Sequence, residues 1–154
     1  MSEDKQTAPK GGFDPAELAR KHMRFAWVAL TVFVTLGFVL EILHGLKAGF
    51  YLNVGNETRR LMWTLAHAHG VGLSLLNMGF GATLERLWQT LPAGITAASK
   101  CIIIATVFLP LGFFLGGIVT YGGDPGLGVL LVPIAAVILL AGVFIVAREA
   151  LRAR

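Results

Sequence analysis

Five side chains that could carry chemistry lie in two stretches of an otherwise apolar chain. Glu41 and His44 are three residues apart, His67 and His69 belong to an Ala-His-Ala-His-Gly run, and Asn77 follows that run. Residues three apart on a helix share one face, so Glu41 and His44 are predicted to act together. Glu-x-x-His is also the spacing used in di-metal helical bundles, where each of two helices supplies one copy. This chain has one copy, so the spacing alone does not predict such a centre.

The histidine pair is a weak metal signal. At about 100° per residue, His67 falls on a small, polar stripe with Gly70, Ser74 and Asn77, whereas His69 lies about 160° away. One regular helix therefore cannot bring both imidazoles to a single ion. If a metal is bound, His67 and His44 are the predicted ligands.

Glu41 and His67 are the predicted centre of any functional site. In two consecutive antiparallel helices they would lie about 7 and 9 Å from the same end, at a rise of 1.5 Å per residue. We expect them to interact directly or through a bound species. Ionisable groups inside a membrane mark functional sites, although small membrane proteins also use them to hold helices together.

Five glycines are predicted to allow close helix packing. Gly37 and Gly45 flank Glu41 at four-residue spacing, Gly70 shares the stripe of His67, and Gly112 and Gly116 form a GxxxG motif. Small residues let helix backbones approach one another in membranes.

The composition excludes an ordinary soluble domain. Of the 154 residues, 55% are hydrophobic and 14% are charged, and the mean hydropathy is +0.71. A soluble chain has about a quarter charged residues, which cover its surface. The excess of basic residues lies at the ends of apolar segments, so it predicts membrane orientation and no nucleic-acid partner.

The apolar segments predict an all-α integral membrane protein with four transmembrane helices in an antiparallel bundle. Residues 1–23 are predicted as a tail with a possible short helix starting at Asp14-Pro15, 24–147 as the membrane domain, and 148–154 as a basic tail. Residues 84–98 are predicted to lie on the membrane surface. The predicted spans cover about 25–46, 61–82, 101–121 and 127–147.

Three interpretations of function remain open on this pattern. The first is a non-enzymatic accessory or assembly subunit, in which buried polar groups fix the helix register and the partners are lipid, other membrane subunits or further copies of the chain. The second is a redox subunit whose histidines bind haem b or a metal ion. The third is a small oligomeric, proton-coupled transporter that uses Glu41 and the histidines as a relay.

The positive charges predict that both termini are cytoplasmic, in a bacterial inner membrane. Ten of the 13 Lys and Arg residues fall on the side of the termini, against Lys47, Arg59 and Arg60 on the other. Reporter fusions at each terminus should give cytoplasmic signals. An external signal from either terminus would contradict the orientation.

Overall fold

The computed structural model describes residues 14–153. It is mostly helical, at 81%, and four helices occur in this range: α1 (Pro15–Gly45), α2 (Thr58–Leu87), α3 (Ala93–Ile118) and α4 (Leu131–Arg152). A 3-10 turn, Leu127–Leu130, leads into α4. Extensive contacts join α1 to α2, α2 to α3 and α3 to α4, so the helices pack in chain order.

Successive helices run antiparallel, as their paired residues show. His22 near the start of α1 bonds to Asn77 near the end of α2, while Gly37 near the end of α1 lies against His67 nearer the start of α2. The same reversal joins α2 to α3 and α3 to α4, through the close pairs Asn77 and Thr106, Trp63 and Phe114, Gly112 and Val132, and Cys101 and Gly142.

Three segments are long and apolar enough to cross a membrane: Pro15–Gly45, Ala93–Ile118 and Leu127–Arg152. The four predicted spans are therefore confirmed for three segments only. Helix α2 has 30 residues, which is length enough at 1.5 Å per residue. It is not among the three because its polar residues, including His67, His69, Ser74 and Asn77, lower its hydropathy.

Helix α1 begins before its predicted span, and helix α4 ends after its predicted span. Asp14 caps α1, its carboxylate accepting from the Ala16 amide at 3.0 Å, as predicted. However, α1 continues unbroken from Pro15, so residues 15–23 are its first turns and not part of a tail. At the other terminus α4 continues to Arg152, well into the predicted basic tail.

The predicted surface segment at 84–98 is wrong. Helix α2 extends to Leu87 and α3 begins at Ala93, so only residues 88–92 connect them. Leu84 and Ile95 are fully buried, in one cluster with Leu18 and Trp88. Those leucine and tryptophan side chains face the bundle interior because both helices extend beyond the apolar runs that set the predicted spans.

A tight turn joins the last two helices. Residues Thr120–Tyr121 and Asp124–Pro125 pair as two short antiparallel strands. Gly122 and Gly123 between them have φ of 57° and 104°. A two-residue turn with positive φ at both positions favours glycine, which has no Cβ to clash with the backbone.

Four of the five predicted packing glycines lie at close contacts. A side chain at Gly37 would collide with the His67 ring, and one at Gly70 with the Phe33 ring. Gly112 and Gly116 face the start of α4 and the 3-10 turn. Gly45 is the exception, because among residues 14–153 nothing lies within 4 Å of a Cβ placed there, so its packing role stays a prediction.

Gly116→Leu should lower the free energy of unfolding in detergent by about 1–3 kcal/mol, a cost typical of overpacking. A Cβ at Gly116 would lie 3.3 Å from Val129 Cβ and 3.4 Å from its backbone nitrogen, so a larger side chain would push the two segments apart. Gly79→Leu is the matched control, since a Cβ at Gly79 meets nothing within 4 Å. Equal effects of the two changes would show that the GxxxG motif is incidental.

Candidate functional site

A buried network of polar side chains joins three helices near the Pro15 end of α1. His22, fully buried, bonds through Nδ1 to Asn77 Oδ1 at 2.8 Å and through Nε2 to Ser99 Oγ at 2.8 Å. Asn77 Nδ2 in turn donates to Thr106 Oγ1 at 2.8 Å. The Phe80 ring meets the imidazole edge-on, with centroids 4.6 Å apart. We call His22, Asn77, Ser99 and Thr106 the three-helix network.

The partners of the three-helix network fix the direction of its hydrogen bonds. Asn77 Nδ2 also donates to the Leu73 carbonyl at 2.8 Å, which identifies it as the amide nitrogen. The other atom, Oδ1, can only accept, so His22 Nδ1 must donate to it. In neutral His22, Nε2 then accepts from the Ser99 hydroxyl. Thr106 Oγ1 donates to the Ile102 carbonyl at 2.7 Å. Neutral side chains therefore satisfy every bond of the network.

Sequence reasoning placed Asn77 correctly on an inward-facing stripe but missed His22. His22 stands beside Lys21 and close to Arg24, so it was included in the polar tail. A signal was present nonetheless. His22 lies at helical spacing from Ala19, Ala26 and Ala29, and these small residues are buried on the same face.

The opposite end of the α1–α2 pair contains an open polar cleft. Two adjoining hollows of about 530 and 260 Å³ share Leu40, Glu41, Tyr51 and Thr64 as lining residues. His44, Glu57, Thr58, Arg60 and Leu61 complete the first hollow, and Val34, Gly37, Phe38 and His67 the second. We call these two hollows the α1–α2 cleft.

The structure brings Glu41 and His67 into the same hollow without joining them. His67 Nδ1 donates to the Phe33 carbonyl at 2.8 Å, and within residues 14–153 no hydrogen bond or ion pair links its imidazole to Glu41. A direct bond between the predicted pair is therefore not formed. An interaction through a bound species stays a prediction. His44 is exposed and lines the neighbouring hollow, away from His67.

His69 faces a different environment from His67, as the helical geometry predicts. Its Nδ1 donates to the Leu65 carbonyl at 2.8 Å, and its ring packs on Phe113 of α3 at 4.8 Å between centroids. The imidazoles of His67 and His69 thus do not face one gap. Nor do any three His, Cys, Asp or Glu side chains of the described range come together as a metal site.

Arg59 and Trp63 also have a role that their sequence positions did not indicate. Arg59 donates to the carbonyls of Gly117 at 2.9 Å and Ile118 at 3.1 Å, and Trp63 Nε1 donates to Phe114 at 3.1 Å. The last carbonyls of a helix lack partners inside the helix. Arg59 therefore satisfies the end of α3 and its guanidinium complements the negative helix dipole, while Trp63 ties α2 to α3 one turn earlier.

Comparisons with protein-family models, curated proteins and solved structures found no match to this chain.

Removing His22 or Asn77 alone should lower the free energy of unfolding, because the loss of either side chain leaves its buried partners without hydrogen bonds. His22→Leu would leave Asn77 and Ser99 with buried unpaired groups, which costs about 1–3 kcal/mol for each group. In a double-mutant cycle with Asn77→Leu, unfolding in detergent should give a coupling energy of about 1 kcal/mol or more. His44→Leu, at an exposed position, is the control and should be additive with Asn77→Leu. Additivity in both cycles would contradict the three-helix network.

Proposed function

We propose that this chain is a non-enzymatic, four-helix integral membrane protein that serves as an accessory or assembly subunit of a membrane complex. In this proposal α2 is the fourth span, both termini are cytoplasmic and the membrane is a bacterial inner membrane. The observation that carries it is the three-helix network, in which the buried polar side chains bond to one another or to backbone carbonyls. Polar groups used in this way fix helix register and leave no side-chain donor of the network free for a reaction.

The surroundings of α2 support its assignment as a span. Ser74 and Asn77 are fully buried between its neighbours, and Ser74 Oγ donates to the Gly70 carbonyl at 2.7 Å. His67 and His69 likewise donate to carbonyls. Bonds of this kind lower the cost of placing α2 in hydrocarbon, because that cost comes from polar groups left without partners.

The surfaces of α1 and α4 support contact with lipid and with other membrane subunits. Val28, Val32 and Phe38 on α1 and Val137 and Leu140 on α4 are largely exposed in the isolated chain. Apolar side chains of this kind on a spanning helix meet acyl chains or the apolar faces of neighbouring helices. A subunit with two such surfaces suits a position within a larger membrane assembly.

A redox subunit that contributes one axial imidazole is the second candidate. His67 and His69 each use Nδ1 to donate to a backbone carbonyl, so in the neutral ring Nε2 carries the free lone pair. A ligating histidine commonly has this arrangement, with one nitrogen oriented by a carbonyl and the other on the metal. The two rings face different neighbours, so haem held by both within one chain does not fit.

The proposal is tested by purifying the tagged chain from its native membrane in mild detergent. We expect a native-gel band well above its 16.5 kDa mass, with at least one other membrane protein in fixed ratio. His22→Leu should reduce that band several-fold by disturbing the register, whereas Glu17→Gln, at an exposed position, should not.

A free monomer in this experiment would contradict the accessory role. An absorption spectrum of the same sample distinguishes the candidates. A Soret band that His67→Ala or His69→Ala removes would favour the redox subunit.

A further inference from the structure

Several polar groups in the α1–α2 cleft have no hydrogen-bond or ion-pair partner in the part of the chain that the structure describes. The Glu41 carboxylate, the Tyr51 hydroxyl and His67 Nε2 are three of them, and all three line the smaller hollow, as does the Thr64 hydroxyl. Tyr51 is the most informative, since the residue is only 4% exposed and its ring stacks on Trp63 at 6.2 Å between centroids. A buried tyrosine normally bonds its hydroxyl. No described polar side-chain atom is both buried and unsatisfied, so the Tyr51 hydroxyl is reached from the cleft.

All three of these groups can accept hydrogen bonds. His67 Nδ1 faces the Phe33 carbonyl, which only accepts, so Nδ1 carries the proton and Nε2 of the neutral ring is an acceptor. The Glu41 carboxylate accepts, and the Tyr51 oxygen accepts as well as donates. The complementary ligand is therefore a group with several donors.

The charge balance of the α1–α2 cleft favours a cation. Arg60 is paired with Glu57 at 2.8 Å, so those two charges offset each other. Within residues 14–153 the Glu41 carboxylate has no ion-pair partner, so a positive group beside it would be stabilised, and more strongly where water is partly excluded.

The walls of the cleft indicate where such a cation would come from. Val34 and Phe38 line the hollow that contains His67, and they are 52% and 66% exposed on the apolar part of α1. In a membrane these side chains meet acyl chains. The α1–α2 cleft thus combines the polar groups of Glu41, Tyr51 and His67 with an apolar wall, which suits a ligand with a charged head and an alkyl chain.

We propose that the α1–α2 cleft binds the primary ammonium group of a lipophilic molecule, with Glu41, Tyr51 and His67 accepting its three N–H bonds. A primary ammonium has three N–H donors, one for each of the three acceptors, and its positive charge complements the negative charge of the Glu41 carboxylate. Two kinds of molecule carry such an ammonium group on an apolar chain: an aminophospholipid, in its head group, and a free alkylamine. The proposal goes beyond the assembly role and does not depend on it.

The experiment measures lipid retention by native mass spectrometry of the purified chain in detergent. Phosphatidylethanolamine and phosphatidylcholine with the same acyl chains are compared, because the quaternary head group of the latter has no N–H donor. The wild-type protein should retain phosphatidylethanolamine several-fold more strongly. Glu41→Gln and Tyr51→Phe, which preserve shape, should each remove most of that preference, whereas Glu17→Gln at an exposed position should preserve it.

A second arm distinguishes the two sources of ammonium. If octylamine displaces phosphatidylethanolamine and octanol does not, an ammonium group on a short alkyl chain is sufficient for binding. Octylamine without effect would assign the cleft to the phospholipid head group. Equal retention of the two phospholipids together with no binding of octylamine would overturn the proposal. So would an unchanged preference in Glu41→Gln and Tyr51→Phe variants that match the wild type in thermal stability.

Discussion

The hydrogen bonds of His22 are the constraint on which the helical arrangement depends. An imidazole inside a bundle with little access to water must find partners for both ring nitrogens, because an unpaired polar group there costs several kcal/mol. His22 of α1 finds one partner on α2 and the other on α3. A shift of any of these helices by one residue, about 1.5 Å along its axis, would break at least one bond. Apolar packing alone tolerates such shifts more readily, so the polar network selects one register.

That register explains the close contacts further along α1 and α2. With His22 opposite Asn77, the antiparallel pair brings Gly37 under the His67 ring and Gly70 under the Phe33 ring. Each glycine accommodates an aromatic or imidazole ring of the other helix, so the two helices approach closely over most of their length. The polar contacts at one end and the glycine contacts towards the other are therefore consistent with a single alignment.

Much of this arrangement could be predicted from the sequence, and the exceptions have physical causes. The apolar runs predict helices and their order, and Asp14-Pro15 predicts the start of α1. The positions of Leu84 and Ile95 were not predictable, because a hydropathy pattern marks where a helix meets lipid and not where it continues beyond it. His22 was missed for the same reason. Gly45 illustrates the converse, since spacing identifies a helix face but not whether a neighbour covers it.

The two ends of the α1–α2 pair differ in how their polar groups are used. At the Pro15 end, every side-chain donor of the three-helix network has an acceptor within the chain, which rigidifies the bundle there. At the Gly45 end, the Glu41 carboxylate, the Tyr51 hydroxyl and His67 Nε2 line one hollow and have no such partners in the described residues. The ring of Tyr51 is held by stacking on Trp63, and Trp63 itself is bonded to the end of α3. The Tyr51 hydroxyl is thus positioned by packing that does not use its own oxygen, and the His67 ring is held through Nδ1, which leaves the Tyr51 oxygen and His67 Nε2 available to a ligand.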